Sequence, residues 1–207
     1  MRGTVLCVDL PGRRGRPARA GSVSIAAAAA AVVGDVDAAG LDEVVLVGHS
    51  LAGVTLPAVI GLLGDRVRHA VFIAAAVPEH GHAALELAPA DLGEDLAVGE
   101  DLMRVILGPE LDDEQYAWCL ERSVEEPPGL LLEPVDLGPL AGALPPRTWV
   151  RTLHDALASP EAQLRSARNA GAAEVVDLDA GHMCMVSRPA ELAQILNGII
   201  ARHQPSA

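Results

Sequence analysis

The run Val44-Val45-Leu46-Val47-Gly48-His49-Ser50-Leu51-Ala52-Gly53 constrains the fold more than any other part of the chain. Four consecutive aliphatic residues with no polar alternation read as a strand buried on both faces, as in a parallel sheet. Gly48 stops that strand. An apolar stretch of helical length, 51–63, begins almost at once, with Gly64 placed to end it and Pro57 expected to kink it or interrupt a hydrogen bond. A strand that passes straight into a helix leaves room for only a tight turn, so small neighbours are needed at Gly48 and Ala52. Such a turn holds Ser50 on a strained backbone and lifts its hydroxyl to the carboxyl edge of the sheet. The helix beginning at Leu51 aims free N–H groups and its positive end at the same spot, which favours a developing oxyanion.

The rest of the chain repeats this alternation. Residues 4–8 form an apolar run ending at Asp9-Leu10-Pro11-Gly12, read as a buried strand leaving into a turn; 13–21 read as loop. Ser22 or Ser24 can cap a helix that runs through the alanines to Ala39, with Gly40 ending it. Further strands are expected over 67–75, 148–152 and 174–178. Helices are expected over 160–169 and from about 187–189 to His203. Between 78 and 145 acids, prolines and glycines dominate, with helical pieces near 83–88, 99–107 and 112–122. The expectation is an α/β fold: a doubly wound, mainly parallel sheet built from 1–77 and 146–207, with a small, mostly helical cap inserted over 78–145. At 207 residues a chain can bury roughly 70% of its unfolded surface without a disulfide or metal staple. Only Phe72, Tyr116, Trp118 and Trp149 are aromatic, so Ala, Leu and Val must build the core.

Composition removes several classes of function. The 15 basic residues are all Arg, which excludes a lysine Schiff base and a P-loop lysine. A formal charge of −13 argues against nucleic acid or an anionic membrane as partner and disfavours a strongly anionic substrate. Arg13, Arg14, Arg16 and Arg19 ahead of the alanine-rich 25–33 mimic a signal peptide. Alanine is only weakly apolar, however, and an apolar segment already lies upstream. Cys7, Cys119 and Cys184 are few and unpatterned, which points to reduced thiols and a cytoplasmic protein. No stretch approaches the roughly 18–20 apolar residues of a membrane span.

A serine is a poor nucleophile until a base, oriented by an acid, activates it. Of seven histidines, His182 is the best placed: it follows the strand 174–178 in a short loop before the last helix, at the same sheet edge as Ser50. The turn is expected to point His49 away from Ser50, while His69 and His203 read as structural or solvated. His80-Gly81-His82 has metal-ligand spacing but no third ligand nearby, so a cap loop is expected and no metal. Asp155, just past the strand 148–152, also reaches the catalytic edge as the acid. Asp177 lies within a strand and competes weakly; Asp179, three residues before His182, is a plausible substitute.

The order Ser50…Asp155…His182 is that of α/β-hydrolases, and the chain resembles that superfamily, in particular its plant methylesterase and hydroxynitrile lyase branch with bacterial relatives. The resemblance rests on residues 41–53, on Val71-Phe72-Ile73-Ala74-Ala75-Ala76-Val77-Pro78, on Trp149-Val150-Arg151-Thr152 with Asp155, on Gly181-His182-Met183-Cys184-Met185, and on the turn Asp9-Leu10-Pro11-Gly12. It implies a Ser50–His182–Asp155 triad with the Leu51 N–H as one oxyanion donor, and no cofactor. Two departures stand out. The family carries three strands and an H-G loop, source of the second oxyanion donor, ahead of the D-L-P-G turn that here begins at Asp9; and Ala52 replaces a glycine. Removing one such donor typically costs ~10²–10³ in rate.

Three remedies are conceivable for a shortened sheet. Residues 4–8 can slide beside 44–47 so that Pro11-Gly12-Arg13 lends a donor, a second subunit can cover the open edge as a homodimer, or the chain is a damaged or repurposed hydrolase. The branch's lyases rely on a cap lysine that is absent, which counts against cyanohydrin cleavage. The expected function is hydrolysis of a small, neutral, largely apolar ester, with Leu85, Leu87, Met103, Ile106 and Leu107 as candidate pocket residues, most of them expected instead to pack the cap on the core. The alternatives are a lyase, dehydratase or cyclase using Ser50 and His182 as an acid–base pair, or a binding protein that keeps a relic triad.

Overall fold

A computed structural model of the chain describes residues 4–87, 110–124, 126–142 and 145–203. Four strands, β1 (Val44–His49), β2 (Val67–Ile73), β3 (Arg147–Thr152) and β4 (Glu174–Leu178), pair in parallel, and their order in space is their order in the chain. The helices are α1 (Ile25–Ala38), α2 (Ala52–Leu63), α3 (Asp113–Arg122), α4 (Pro128–Leu132), α5 (Pro160–Asn169), α6 (Cys184–Ser187) and α7 (Pro189–Ala201).

Strand alternation sorts the core into two layers. Leu46, Ala70, Phe72 and Trp149 pack with Ala29 and Val36 of α1, with Leu56, Val59, Ile60 and Leu63 of α2, and with Ala167 of α5. On the other face Val71, Ile73 and Val150 meet Cys184 of α6 and Leu192 and Ile199 of α7. The sheet is therefore doubly wound, as expected. Small aliphatics do fill it, around a single large stack: the rings of Phe72 and Trp149 lie nearly parallel, 6.2 Å apart.

Local sequence explains the helix limits. Ser24, of the two candidates, caps α1 by accepting from the Ala27 N–H, and Gly40 beyond it takes a positive φ of 62°. The helix α2 continues through Pro57, whose missing N–H leaves the Gly53 carbonyl without its helical donor. Asp112 and Gln115 form a reciprocal capping box at the start of α3, close to the expected 112–122.

The expected strand over 4–8 does not form. These residues pair with no strand, and Val5 is 86% exposed. The loop after them is tethered elsewhere: Arg16 bridges to Asp35 on α1, Arg13 to Glu126, and Arg14 donates to the Glu121 carbonyl. Leu10 packs into a third cluster with Leu51, Leu130 and Val135. The chain is thereby drawn over the α1 side, and the outer edge of β1 has no strand beside it among the described residues.

Among the described residues, the insert between β2 and β3 carries the helices α3 and α4 and two 3-10 turns. The expected piece near 83–88 is a single 3-10 turn (Ala84–Leu87), α4 is an element the sequence pattern does not announce, and 99–107 lies outside the described residues, as do Met103, Ile106 and Leu107. Ala84, Leu130 and Val135 seat the insert on Val23, Ala28 and Val54, beside the start of α2.

Candidate active site

Ser50 sits at the join of β1 and α2 with φ +52°, a left-handed backbone rare for a residue with a Cβ. Three hydrogen bonds hold it there: its N–H donates to the Ile73 carbonyl at 3.1 Å, and its carbonyl accepts from Gly53 at 3.0 Å and Ala76 at 2.9 Å. The turn closes only because its neighbours are small. A Cβ on Gly48 would stand 2.7 Å from Leu56 Cδ1 and 3.2 Å from the Ala52 methyl, so alanine at 52 is accommodated by glycine at 48. A Cβ on Gly53 would run into the Ala76 carbonyl. The Leu51 N–H enters no hydrogen bond among the described residues and stands free at the start of α2.

The three residues singled out from sequence meet at this edge. The Ser50 hydroxyl lies 2.9 Å from His182 Nε2, and His182 Nδ1–H donates to Asp155 Oδ2 at 2.8 Å. The carboxylate fixes the proton on Nδ1 and leaves Nε2 as acceptor, so Ser50 Oγ–H donates to it. Both ring and carboxylate are withdrawn from solvent, with side-chain exposures of 2% and 0%. Asp155 also accepts from Thr152 Oγ1 and from the amides of Leu157 and Ala158. Burial works to raise its pKa, but the His182 bond and charge and the two amides outweigh it, and the carboxyl titrates below its ordinary range. Extension of the β3–β4 pairing brings the acid and base loops together: Leu153 and His154 donate to the Leu178 and Ala180 carbonyls.

The competing acids are occupied elsewhere. Asp179 Oδ1 lies 2.6 Å from His154 Nε2, and Asp177 takes a two-pronged bond from Arg151. Cys184, two residues beyond His182, is buried, which pushes its thiol up to about 11 and leaves no rival nucleophile there. His80 and His82 pair with Asp136 and Glu86 at the surface. Among the described residues no group of three His, Cys, Asp or Glu could hold a metal ion, and no helix is long and apolar enough to cross a membrane.

The turn expected to lend a second oxyanion donor has none to give. Pro11 lacks an N–H, Gly12 N–H donates to the Arg16 carbonyl and Arg13 N–H to the Leu10 carbonyl. That expected source of a second donor is overturned by the same tethering that keeps 4–8 away from β1.

Two neighbours of the base are not visible in the sequence pattern. His49 does not simply turn away: its Nε2 lies 2.8 Å from the His182 carbonyl. Glu110, in the insert, lays its carboxylate directly against Gly181, where any side chain would collide with it. Glu110 Oε1 is buried with no hydrogen-bond partner among the described residues. Glu110 is one acid among many in an acidic segment, and only the glycine before His182 hints at a close approach.

A serine on a strained strand–helix turn, with a carboxylate and a histidine carried just past two later parallel strands, is the arrangement of an α/β-hydrolase. The chain belongs to the alpha/beta hydrolase family, whose sequence model matches residues 2–195. It is similar to a carbendazim-hydrolysing esterase of Nocardioides sp. (strain SG-4G), 36% identical over 66 residues, covering 32% of this chain and 27% of that protein. The matched stretch is thus about a quarter of that esterase's length.

In three dimensions the chain resembles an extracellular alpha/beta-hydrolase from a Paenibacillus species that shares structural and functional homology with tobacco salicylic acid binding protein 2. The TM-score is 0.81 at 18% identity, over 92% of this chain and 84% of that one. It also resembles polyneuridine aldehyde esterase, with TM-score 0.69 at 21% identity over 93% and 86% of the two chains. The fold expectation is met.

Proposed function

We propose that the protein is a serine hydrolase of small, neutral, largely apolar esters. The observation that carries this reading is the unbroken hydrogen-bonded series Ser50–His182–Asp155 beside a free helix-terminal N–H. Likeness to proteins named as esterases supports the ester as substrate class. The negative charge of the chain disfavours anionic ones.

In this mechanism Ser50 Oγ attacks the ester carbonyl as its proton passes to His182 Nε2, and Asp155 stabilises the imidazolium that forms. The Leu51 N–H holds the oxyanion. Collapse expels the alcohol, which takes the proton from His182, and water then cleaves the acyl-enzyme by the same steps with water in place of the alcohol.

Intact-mass labelling with a fluorophosphonate tests the proposal. One adduct per chain, abolished in Ser50→Ala, is the expected result. A folded wild-type protein that takes no label would overturn the mechanism. One observation favours a second reading: of the candidate oxyanion donors Leu51, Gly12 and Arg13, only Leu51 is free, since Gly12 and Arg13 spend their N–H groups within their own turn. A lyase, dehydratase or cyclase that uses Ser50 and His182 as an acid–base pair depends less on a second donor. Failure to label, together with loss of turnover of such a substrate in His182→Ala, would favour it.

A further inference from the structure

We propose that His49 is a positioning residue for His182, fixing the backbone of the base from the residue adjacent to the nucleophile; this rests on the serine-hydrolase reading above. The irregular loop between β4 and α6 has no strand or helix to hold His182 in place. Its carbonyls are pinned at two points instead: His154 N–H donates to the Ala180 carbonyl at 3.0 Å, and His49 Nε2 lies 2.8 Å from the His182 carbonyl. A carbonyl only accepts, so His49 Nε2 carries the proton and donates. The two imidazoles face each other at a tilt of 51°, with centroids 4.7 Å apart. One dipeptide, His49-Ser50, therefore sets both the angle of the nucleophile and the height of the base above it.

The arrangement works only with a neutral His49. Desolvation of its ring, and next the facing His182, push it down to about 3, although the His182 carbonyl and the Asp155 charge pull the other way. A neutral neighbour is what an imidazolium forming at His182 requires, since a second positive ring at this distance would oppose the proton transfer. The other charged groups at the site are Asp155 on the far side of the His182 ring and the Glu110 carboxylate against Gly181. Both are carboxylates, which only accept, so neither substitutes for the His49 donor at the His182 carbonyl.

The test compares His49→Gln, whose amide nitrogen reaches the same carbonyl, with His49→Leu, which fills the space without a donor. Thermal melts establish that each variant is folded. The rate of fluorophosphonate labelling and its pH profile are then measured. Leu is expected to slow labelling roughly 10- to 100-fold, the scale of a displaced catalytic group, and to shift the acid limb of the profile, while Gln restores most of both.

Equal rates and profiles in wild type and His49→Leu would overturn the proposal. If His49→Leu does not fold, His49→Asn takes its place: its shorter amide cannot reach the carbonyl, and labelling as fast as His49→Gln would overturn the proposal too. A wild type that takes no label removes the hydrolase reading and this role with it. The downfield NMR proton of the His182–Asp155 bond separates the cases without activity. Its loss in the Leu variant and persistence in Gln support the positioning, and an unchanged signal in both overturns it.

Discussion

At the scale of single residues, the site depends on which acid orients His182. The geometry predicts that Asp155→Asn lowers turnover on the order of 10⁴-fold by removing the charge that sets the tautomer. Asp179→Asn should leave the rate nearly unchanged, because Asp179 serves His154. Paired kinetics on a chromogenic ester check both, and an equal loss in the two variants would refute the assignment. That Ser50, Asp155 and His182 meet at one edge was legible in sequence, because each comes just after a strand, and parallel strands deliver their trailing loops to one edge. What excludes the other two aspartates was not legible, because it depends on partners as distant as Arg151 and His154. His49 was hidden for a related reason: its acceptor is a backbone carbonyl 133 residues away, which no side-chain pattern announces.

At the scale of elements, a polar seam ties the opposite end of the sheet together. His69 on β2 bonds Thr148 on β3 through Nε2 and His203, just past α7, through Nδ1. Thr148 in turn donates to Glu174 on β4, which also holds Arg202. Desolvation, followed by the charges of His203 and Arg202, lowers His69 from 6.5 to about 4. A histidine depressed in the folded state is protonated first in the unfolded chain. Its stabilisation is present above about pH 6.5 and is lost as pH falls toward about 4. Melting temperature should therefore drop through that window, and less steeply in His69→Gln; parallel slopes would contradict the linkage. His49 adds to the same trend with the same sign, so the slope in His69→Gln is reduced rather than abolished.

Strands and long helices of this kind were readable from apolar runs and caps, whereas the expected strand over 4–8 was not there. An apolar run specifies a side-chain pattern, but a strand exists only with a neighbour to share its backbone bonds. The ties of Arg13, Arg14 and Arg16 to α1 and the insert take that neighbour away.

For the whole molecule, β1 ends the sheet with its outer N–H and C=O groups unmatched by another strand among the described residues and with Val47 46% exposed. Edges of this kind recruit further strands, so the homodimer expected from sequence is a prediction with a clear readout. Light scattering at rising concentration should give a mass above 21.4 kDa, and Val47→Arg should return it to that of one chain. A wild type that stays monomeric throughout would remove the expectation.

Strand order carries one more consequence. Each strand lies beside the one made just before it, so the sheet can grow by addition as the chain leaves the ribosome, with no gap kept open for a later arrival. Ser50 is locked into its turn by Ile73 and Ala76, long before Asp155 and His182 have been synthesised. On the proposed mechanism, a nascent chain halted short of the last strand carries a shaped but powerless serine, and turnover would report that the carboxyl-terminal quarter has docked.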